Sequence, residues 1–303
     1  MAINAGAALE RSARLAATEW DEVTAKATVV SGTRSSLVDI WRHKELLNLL
    51  VRRELKARYK DSSLGFVWSL IRPLTQLFIY FVVVGQFLGA ARSIDNFAVY
   101  IFAGLTIYTL FSEIVAGGTS SILANSGLVK KVYLPREIFP LSAVGSALFN
   151  FVIQLVILLV AAVLLGTLTF GFHLLYGVGA VVLILVYATA LGILLSALNV
   201  YLRDIQYIVE VVLMLLMWGS PILYAWSFAT VHMPDWLAQV YLNNPVTLAV
   251  IGFQEAVWAP TSGSVPPDNL GIRMLVAAVV GVVLLFVSQR VFSRLQGNFA
   301  QEL

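Results

Sequence analysis

Long apolar runs dominate the chain from residue 66 onward and indicate its fold class. Six of these runs approach the roughly 20 residues that a helix needs to cross a bilayer. The predicted spans are 66–88, 97–119, 138–165, 174–198, 205–226 and 270–288. Residues 138–202 contain no charged side chain and divide most simply into two spans around a turn at 166–173. The pattern predicts an all-α membrane protein whose transmembrane domain extends over residues 61–303.

A polar stretch precedes the first span, and its last part has the period of an amphipathic helix. Within residues 41–60, Leu47, Val51 and Leu55 recur every four residues, and a basic stripe runs along another side. Such a helix suits the cytoplasmic headgroup layer, and a soluble helix packed on a partner protein is the alternative. Residues 1–40 lack the apolar core of a signal peptide, so we interpret them as a cytoplasmic tail.

Basic residues concentrate on alternate loops, and this asymmetry predicts the orientation of the chain. Seventeen Lys and Arg side chains lie in residues 1–65, 120–137, 198–206 and 289–303, whereas the loops between these segments carry Arg92 alone. Basic loops favour the cytoplasmic side of a membrane. We therefore predict a multi-pass protein of the plasma (inner) membrane with both termini in the cytoplasm.

Composition and motifs exclude several functional classes. The chain is 59% hydrophobic and 12% charged, against about 25% charged in ordinary globular proteins, so it cannot cover a soluble surface. It has no cysteine, its three histidines are scattered, and it carries no phosphate loop, HExxH or GxSxG motif. We expect no catalytic residue, no metal, no bound cofactor and no nucleic-acid partner.

The loop at 120–137 is longer than a helical hairpin needs. It combines an apolar–polar helix around Ile122 and Leu123, a break at Gly127, and the basic pair Lys130 and Lys131. A short helix presented to the cytosol can dock a soluble partner. A solvated loop anchored by its basic residues is the alternative interpretation.

The segment 227–270 contains no Lys or Arg and holds two apolar pieces, 234–242 and 245–258. Neither piece reaches spanning length, and a re-entrant helix pair that dips into the outer leaflet before the last span fits both. Gly219 and Pro221 precede this segment and should break or kink the fifth span, because proline lacks a backbone donor.

Four charged residues, Arg72, Glu113, Glu210 and Arg273, fall inside or at the edge of the predicted spans, and three of them share one depth. Arg72, Glu113 and Glu210 each lie about 8–9 Å inside the cytoplasmic boundary. Since an isolated charge at that depth is costly, we hypothesise that Arg72 pairs with one of the two carboxylates. Alternatively, Arg72 snorkels to the surface and the carboxylates line water.

A resemblance to a known family rests on four motifs in order along the chain: RRELKARYKDSSLGFVWSLIRPL (52–74), LVKKVYLPREIFP (128–140), LNVYLRDI (198–205) and NNPVT (243–247). The first resembles the approach to the first span in ABC-2 type permeases of polysaccharide exporters, which export O-antigen, teichoic acid or mycobacterial galactan. The likeness covers residues from about 35 to the end.

The resemblance implies the permease subunit of an ATP-driven exporter that moves a lipid-linked polysaccharide from the cytoplasm across the inner membrane. A separate nucleotide-binding subunit, in two copies, would bind ATP and Mg²⁺. Two copies of the permease, surrounded by membrane lipids, would enclose the glycan path. An ABC-2 permease for a small hydrophobic drug or lipid is the alternative. The missing catalytic groups and midplane charges disfavour an intramembrane enzyme or a stand-alone carrier.

The resemblance also assigns roles to particular residues. The residues implied in docking the ATPase subunit are Ser126, Gly127, Leu128, Val129, Lys130, Lys131, Arg203 and Asp204. Most aromatic side chains should pack or form interfacial belts, but flat aromatic faces also bind sugars. The candidates for lining a glycan path are Trp68, Tyr80, Tyr108, Phe111, Tyr207, Trp218 and Tyr224.

Overall fold

The computed structural model describes residues 41–59, 67–131 and 134–303, and the regular elements within them are all helices. The helices are α1 (Lys44–Tyr59), α2 (Trp68–Tyr80), α3 (Phe97–Ala124), α4 (Ser126–Lys131), α5 (Ile138–Leu164), α6 (Leu174–Tyr201), α7 (Ile205–Trp218), α8 (Trp226–Val231), α9 (Asp235–Leu242), α10 (Pro245–Val257), α11 (Ala259–Ser262), α12 (Leu270–Leu295) and α13 (Phe299–Glu302). The predicted tail 1–40 and the junction at 60–66 lie outside the described residues.

Five of the six predicted spans are confirmed as helices long and apolar enough to cross a membrane. They are α2 with its π-helical continuation Phe81–Phe87, α3, α5, α6 and α12. The sixth, α7, has only 14 residues, or about 21 Å at the rise of an α-helix. It ends at Gly219, two residues before Pro221, so the predicted break is confirmed and a continuous helix over 205–226 is wrong.

Helix α3 forms the centre of the bundle and packs against α5, α6 and α10. Its crossing with α6 depends on two glycines, because a Cβ atom on Gly118 would lie 2.8 Å from Cα of Gly192. Small residues at such a crossing let two helix backbones approach closely. The backbones of α3 and α6 therefore approach closely at Gly118 and Gly192, and α5 and α10 also pack against α3.

Two sets of hydrogen bonds fix the ends of the α7 segment along α3. At its start, the Gln206 amide donates to Oδ1 of Asn199 at 3.2 Å, and Nδ2 of Asn199 donates to the Thr119 carbonyl at 3.1 Å. Beyond its end, the Tyr100 hydroxyl donates to the Pro221 carbonyl at 2.9 Å. Thr119 and Tyr100 are about 28 Å apart along α3, so the segment 206–221 follows α3 over that length.

The two apolar pieces predicted before the last span are confirmed as helices, α9 and α10. Pro245 starts α10, and Oδ1 of Asn244 accepts a hydrogen bond from the Val246 amide at 2.9 Å, as an N-cap does. From Val246 onward α10 is buried along its whole length. The ring of Phe253 lies 6.1 Å from that of Phe151, at the middle of α5, so α10 reaches well into the bundle.

Candidate functional site

An apolar cluster joins the ends of several helices at the end of the bundle that carries α1 and α4, which we call the basic end. Its buried members include Leu50 of α1, Val129 of α4, Phe139 of α5, Phe292 of α12 and Phe299 of α13. A helix of six residues is too short to be stable alone. The cluster therefore holds α4 in place through Val129.

Helix α4 presents most of its other predicted docking residues to solvent. Gly127, Lys130 and Lys131 are exposed, while Ser126 and Leu128 are half-buried and Val129 is the buried anchor. A fixed helix with two lysines on its outer side can bind a complementary surface on a soluble protein. This arrangement supports the docking interpretation over that of a flexible solvated loop.

The boundary between α3 and α4 corrects the predicted break in this loop. Ile122 and Leu123 belong to α3, which ends at Asn125, and Gly127 lies inside α4. Asn125 ends the helix because its backbone leaves the helical region, while Nδ2 of its side chain donates to the Ser121 carbonyl at 2.8 Å. The short helix therefore contains the basic pair itself and does not precede it.

The turn after α6 lies at the same end, since Asn199 and Thr119 join the ends of α6 and α3. Arg203 and Asp204 are exposed in this turn. Just before it, the Tyr201 hydroxyl donates to the Leu295 carbonyl at 2.8 Å. The basic end thus brings together both segments that were predicted to dock the ATPase subunit.

Helix α1 packs on α5 of its own chain through a polar clamp that the sequence analysis did not find. The Glu54 carboxylate accepts hydrogen bonds from the hydroxyls of Ser142 at 2.7 Å and Ser146 at 2.5 Å. Between these two serines, Val51 packs on Gly145. A Cβ atom added to Gly145 would lie 2.6 Å from Cγ2 of Val51. The signal available in the sequence was the small-residue face formed by Ser142, Gly145 and Ser146.

The three charged residues of the predicted cluster have different surroundings. Glu113 accepts a hydrogen bond from Nδ2 of Asn150 at 2.7 Å. Arg72 and Glu210 are exposed on α2 and α7. The pairing of Arg72 with one of the two carboxylates therefore stays a prediction.

Two of the aromatic path candidates are core residues. Tyr108 is 5% exposed and Phe111 2% exposed, and the Tyr108 hydroxyl donates to the Leu213 carbonyl of α7. A side chain enclosed in this way holds helices together and cannot line an open path. The interpretation of these two residues as path residues is therefore corrected.

The other five aromatic candidates lie on or next to α2 and α7, two largely exposed helices. Trp68, Tyr207 and Trp218 are exposed, and Tyr80 and Tyr224 are half-buried. The Tyr80 hydroxyl of α2 lies 3.9 Å from the sulfur of Met217 of α7. We refer to these five side chains, carried by α2, by α7 and by the turn after α7, as the aromatic strip.

A network at the end opposite the basic end was also missed by the sequence analysis. Nε2 of Gln254 donates to the Pro221 carbonyl at 3.0 Å, beside the bond from Tyr100. The indole N–H of Trp258 donates to the Asp95 carbonyl at 2.5 Å. These contacts join α3, α10 and the turn after α7. They border a cavity of about 330 Å³, which no local sequence motif announces.

The part of the chain that the structure describes contains no group of three or more His, Asp or Glu side chains placed to hold a metal ion. The donors of the clamp on α1 and of the network around Pro221 are hydroxyl, amide and indole N–H groups that are already bonded within the protein. The arrangement offers surfaces for binding and docking, with no constellation for bond-making chemistry among these residues.

Comparison with known proteins finds similarity to one family and to named members of polysaccharide export systems. The profile of the ABC-2 type transporter family matches residues 45–258. The O-antigen export system permease protein RfbA of Myxococcus xanthus is 31% identical over 268 residues, which cover 88% of this chain and 98% of that protein. A protein of the same name from Klebsiella pneumoniae is 25% identical over 86% of this chain and 95% of its own length. The polysialic acid transport protein KpsM of Escherichia coli is 28% identical over 85 residues, 28% of this chain and 33% of that protein.

Proposed function

This chain belongs to the ABC-2 type transporter family, and we propose that it is the permease subunit of an ATP-driven exporter of lipid-linked polysaccharide. The substrate would be of the O-antigen, teichoic acid or galactan type and would move from the cytoplasm across the inner membrane. The observation that carries this proposal is the similarity over nearly the whole chain to permeases named for O-antigen export. The aromatic strip on α2 and α7 agrees with a glycan substrate.

The ATPase subunit would dock at the basic end. Helix α4 and the turn at Arg203 and Asp204 are exposed there, and Val129 anchors α4 in the apolar cluster. ATP and Mg²⁺ would bind to that partner, in two copies. The permease itself would take no direct part in hydrolysis.

A second copy of this chain would cover α2 and α7. Helix α2 has no buried residue, and the buried residues of α7 are Val209 and Leu213. Two copies that meet along these helices would enclose the aromatic strip between them. The path would then be lined by Trp68, Tyr80, Tyr207, Trp218 and Tyr224.

The same juxtaposition would give Arg72 a partner. Arg72 is the fifth residue of α2 and Glu210 the sixth of α7, and both helices begin near the basic end. Both side chains are exposed within one copy. Since opposite charges at equal depth in a membrane favour pairing, we expect Arg72 of one copy to pair with Glu210 of the other.

The path of α7 along α3 supports a sixth crossing. Although α7 is short, the segment 206–221 extends over about 28 Å of α3, close to the thickness of a bilayer core. Six crossings place both termini on one side, and the basic loops favour the cytoplasm for that side. The depth of α10 beside Phe151 likewise supports a re-entrant α9–α10 pair.

Reconstitution with a co-expressed ATPase subunit tests this function. The complex should hydrolyse ATP and move lipid-linked polysaccharide, whereas the purified permease alone should hydrolyse none. Replacing residues 128–131 with Gly and Ser should abolish co-purification and export but leave the chain in the membrane. A matched replacement of residues 170–172, in a loop at the opposite end, should keep both. Export of a small drug without any glycan transport would contradict the assigned substrate class.

A further inference from the structure

The cavity at the end opposite the basic end has the composition of a small-molecule site. Its volume is about 330 Å³, and its lining includes Tyr100, Trp226, Gln254, Glu255 and Trp258. Sites for small ligands begin at about this size and combine aromatic walls with a few polar groups. The polar groups decide which ligand would fit.

Three polar side chains around the cavity already have partners inside the protein. The Tyr100 hydroxyl and Nε2 of Gln254 both donate to the Pro221 carbonyl, and the Trp258 indole N–H donates to Asp95. The rings of Tyr100 and Trp258 also pack edge to face, with centroids 4.8 Å apart. These groups form a rigid wall that a ligand would find already in place.

Glu255 differs from these three side chains. Its side chain is 9% exposed, and no hydrogen bond or ion pair reaches its carboxylate from the residues that the structure describes. Burial raises the pKa of Glu255 to about 7. Buried polar groups in proteins normally have a hydrogen-bond partner, so a nine-tenths buried acid that lines a cavity is suited to receive donors from a ligand.

The rest of the lining limits the chemistry of that ligand. Glu255 is the one carboxylate among the described lining residues, which is too few for a divalent cation. The described lining contains no Lys or Arg, so it offers no counter-charge to a phosphate. The second tryptophan, Trp226, borders the same space as Trp258. A neutral ligand with an apolar face and several hydroxyl donors matches both features.

A pyranose ring has this combination, because its axial C–H groups form an apolar face and its rim carries hydroxyl donors. We propose that the cavity binds a single pyranose unit of the exported glycan, with the ring against Trp226 and Trp258 and hydroxyls donated to Glu255. The inference rests on the proposed function, which it extends by a sugar subsite outside the aromatic strip. It places this subsite within one copy, at the end where the glycan would leave.

Binding of simple sugars to the complete permease–ATPase complex in lipid nanodiscs tests the proposal. Methyl α-D-mannopyranoside and methyl α-D-glucopyranoside serve as probes, and glycerol serves as a polyol without a ring face. Saturation-transfer NMR titrations should give signals from ring C–H protons of at least one pyranoside and none from glycerol. Trp226→Ala and Glu255→Gln should each weaken that binding by about tenfold or more, the first because it removes an aromatic face and the second because it replaces the carboxyl group that receives the hydroxyls.

Matched variants outside the cavity control for general effects. Trp236→Ala and Asp235→Asn change the same residue types on the exposed side of α9 and should leave the affinity unchanged. A cysteine at Ser264, which lines the cavity, should react more slowly with a maleimide when the pyranoside is present. A cysteine at the exposed Ser93 should react at an unchanged rate. The protection assay keeps the test valid if Glu255→Gln does not fold.

The outcomes separate this inference from the proposed function. If the complex exports glycan but neither pyranoside binds and Ser264→Cys is not protected, the cavity is not a sugar subsite, and the proposed function stands. If methylammonium protects Ser264→Cys and the pyranosides do not, the cavity binds cations and the inference is wrong. If pyranosides bind but no glycan is exported, the proposed function is wrong while the subsite remains.

Discussion

The first span, which is α2 with its continuation to Phe87, and the second span, α3, are similarly apolar, but 6% of the most apolar stretch of the first is buried against 78% of that of α3. Helix α3 is surrounded by α5, α6 and α10, whereas α2 exposes Trp68 and Arg72. The hydropathy of both helices indicates that they are buried away from water. It does not indicate whether each packs against lipid, against the same chain or against a second copy. The difference identifies the face that remains to be covered.

The strongest test of the difference in burial between α2 and α3 targets the charge pair expected between Arg72 of one copy and Glu210 of the other. Removing one member of a buried pair commonly costs about 3–5 kcal/mol, because the other charge is left unpaired. We expect Arg72→Met and Glu210→Gln each to weaken the association of two copies and the double variant to lose much less than their sum. The free energy of dimerisation, measured by energy transfer between labelled copies in detergent, checks this.

A double-mutant cycle between Arg72 and Glu113, in which each residue is changed alone and then both together, is the internal control. Glu113 accepts its hydrogen bond from Asn150 of the same chain, so Arg72→Met and Glu113→Gln should be additive within about 0.5 kcal/mol. Strong coupling between Arg72 and Glu113, together with additive effects of Arg72→Met and Glu210→Gln, would show that the charge pair forms within a single copy. The exposed face of α2 would then need another explanation.

The tight packing of the buried helix α3 can be tested where Gly118 of α3 crosses Gly192 of α6. Gly118→Val would place a side chain 2.8 Å from the Gly192 backbone, and overpacking of this kind costs about 1–3 kcal/mol. We expect a lower unfolding temperature in detergent. At Gly271 of α12 an added Cβ would lie 3.6 Å from the Tyr176 ring, so Gly271→Val should have little effect. Equal losses for both variants would show that the α3–α6 crossing is not specially tight.

The clamp on α1 should give a smaller effect. Ser142→Ala and Ser146→Ala each remove one hydrogen bond to Glu54, and a net contribution of about 1 kcal/mol per bond is expected. The double variant should expose α1 to limited proteolysis and reduce coupling between ATP hydrolysis and export. Ser112→Ala changes a serine whose hydroxyl bonds within its own helix and should leave both readouts unchanged.

A pH dependence is expected at Glu255, where Tyr100 is the other titratable group in the described cavity lining. Because burial raises its pKa to about 7 from 4.5, the folded protein holds a proton that the unfolded chain has lost. The stabilising contribution of the protonated form is complete below about pH 4.5 and is lost as the pH rises through 7. The unfolding temperature of Glu255→Gln should therefore fall less than that of the parent between pH 5 and 8. Parallel curves would contradict the raised pKa.

The spans were predictable because about 20 consecutive apolar residues have few alternatives to crossing a membrane. The end of α7 was predictable from Pro221, because proline interrupts the hydrogen bonding of a helix. The break at Gly127 was misplaced because glycine is tolerated in a short helix that tertiary packing holds, and the side chain of Asn125 ends α3 instead.

Features that depend on distant parts of the chain could not be predicted. Glu54 meets Ser142 and Ser146 across almost ninety residues, and no local pattern pairs them. Tyr108 looked like any other aromatic residue of a span, and only its contact with the α7 backbone shows that it is enclosed. Glu255 is a lone acid in an apolar helix, and its cavity exists only where α3, α10 and the turn after α7 meet.

The apolar cluster at the basic end has a mechanical consequence. Val129 of α4 packs in one cluster with residues of α1, α3, α5, α6, α12 and α13, and close-packed interiors have low compressibility. A force applied to α4 is thus shared by several helices at once and does not bend a single hinge. An ATPase that pushes on this helix would therefore move these helices together, and α2, which has no buried residue, would be only weakly coupled to that motion.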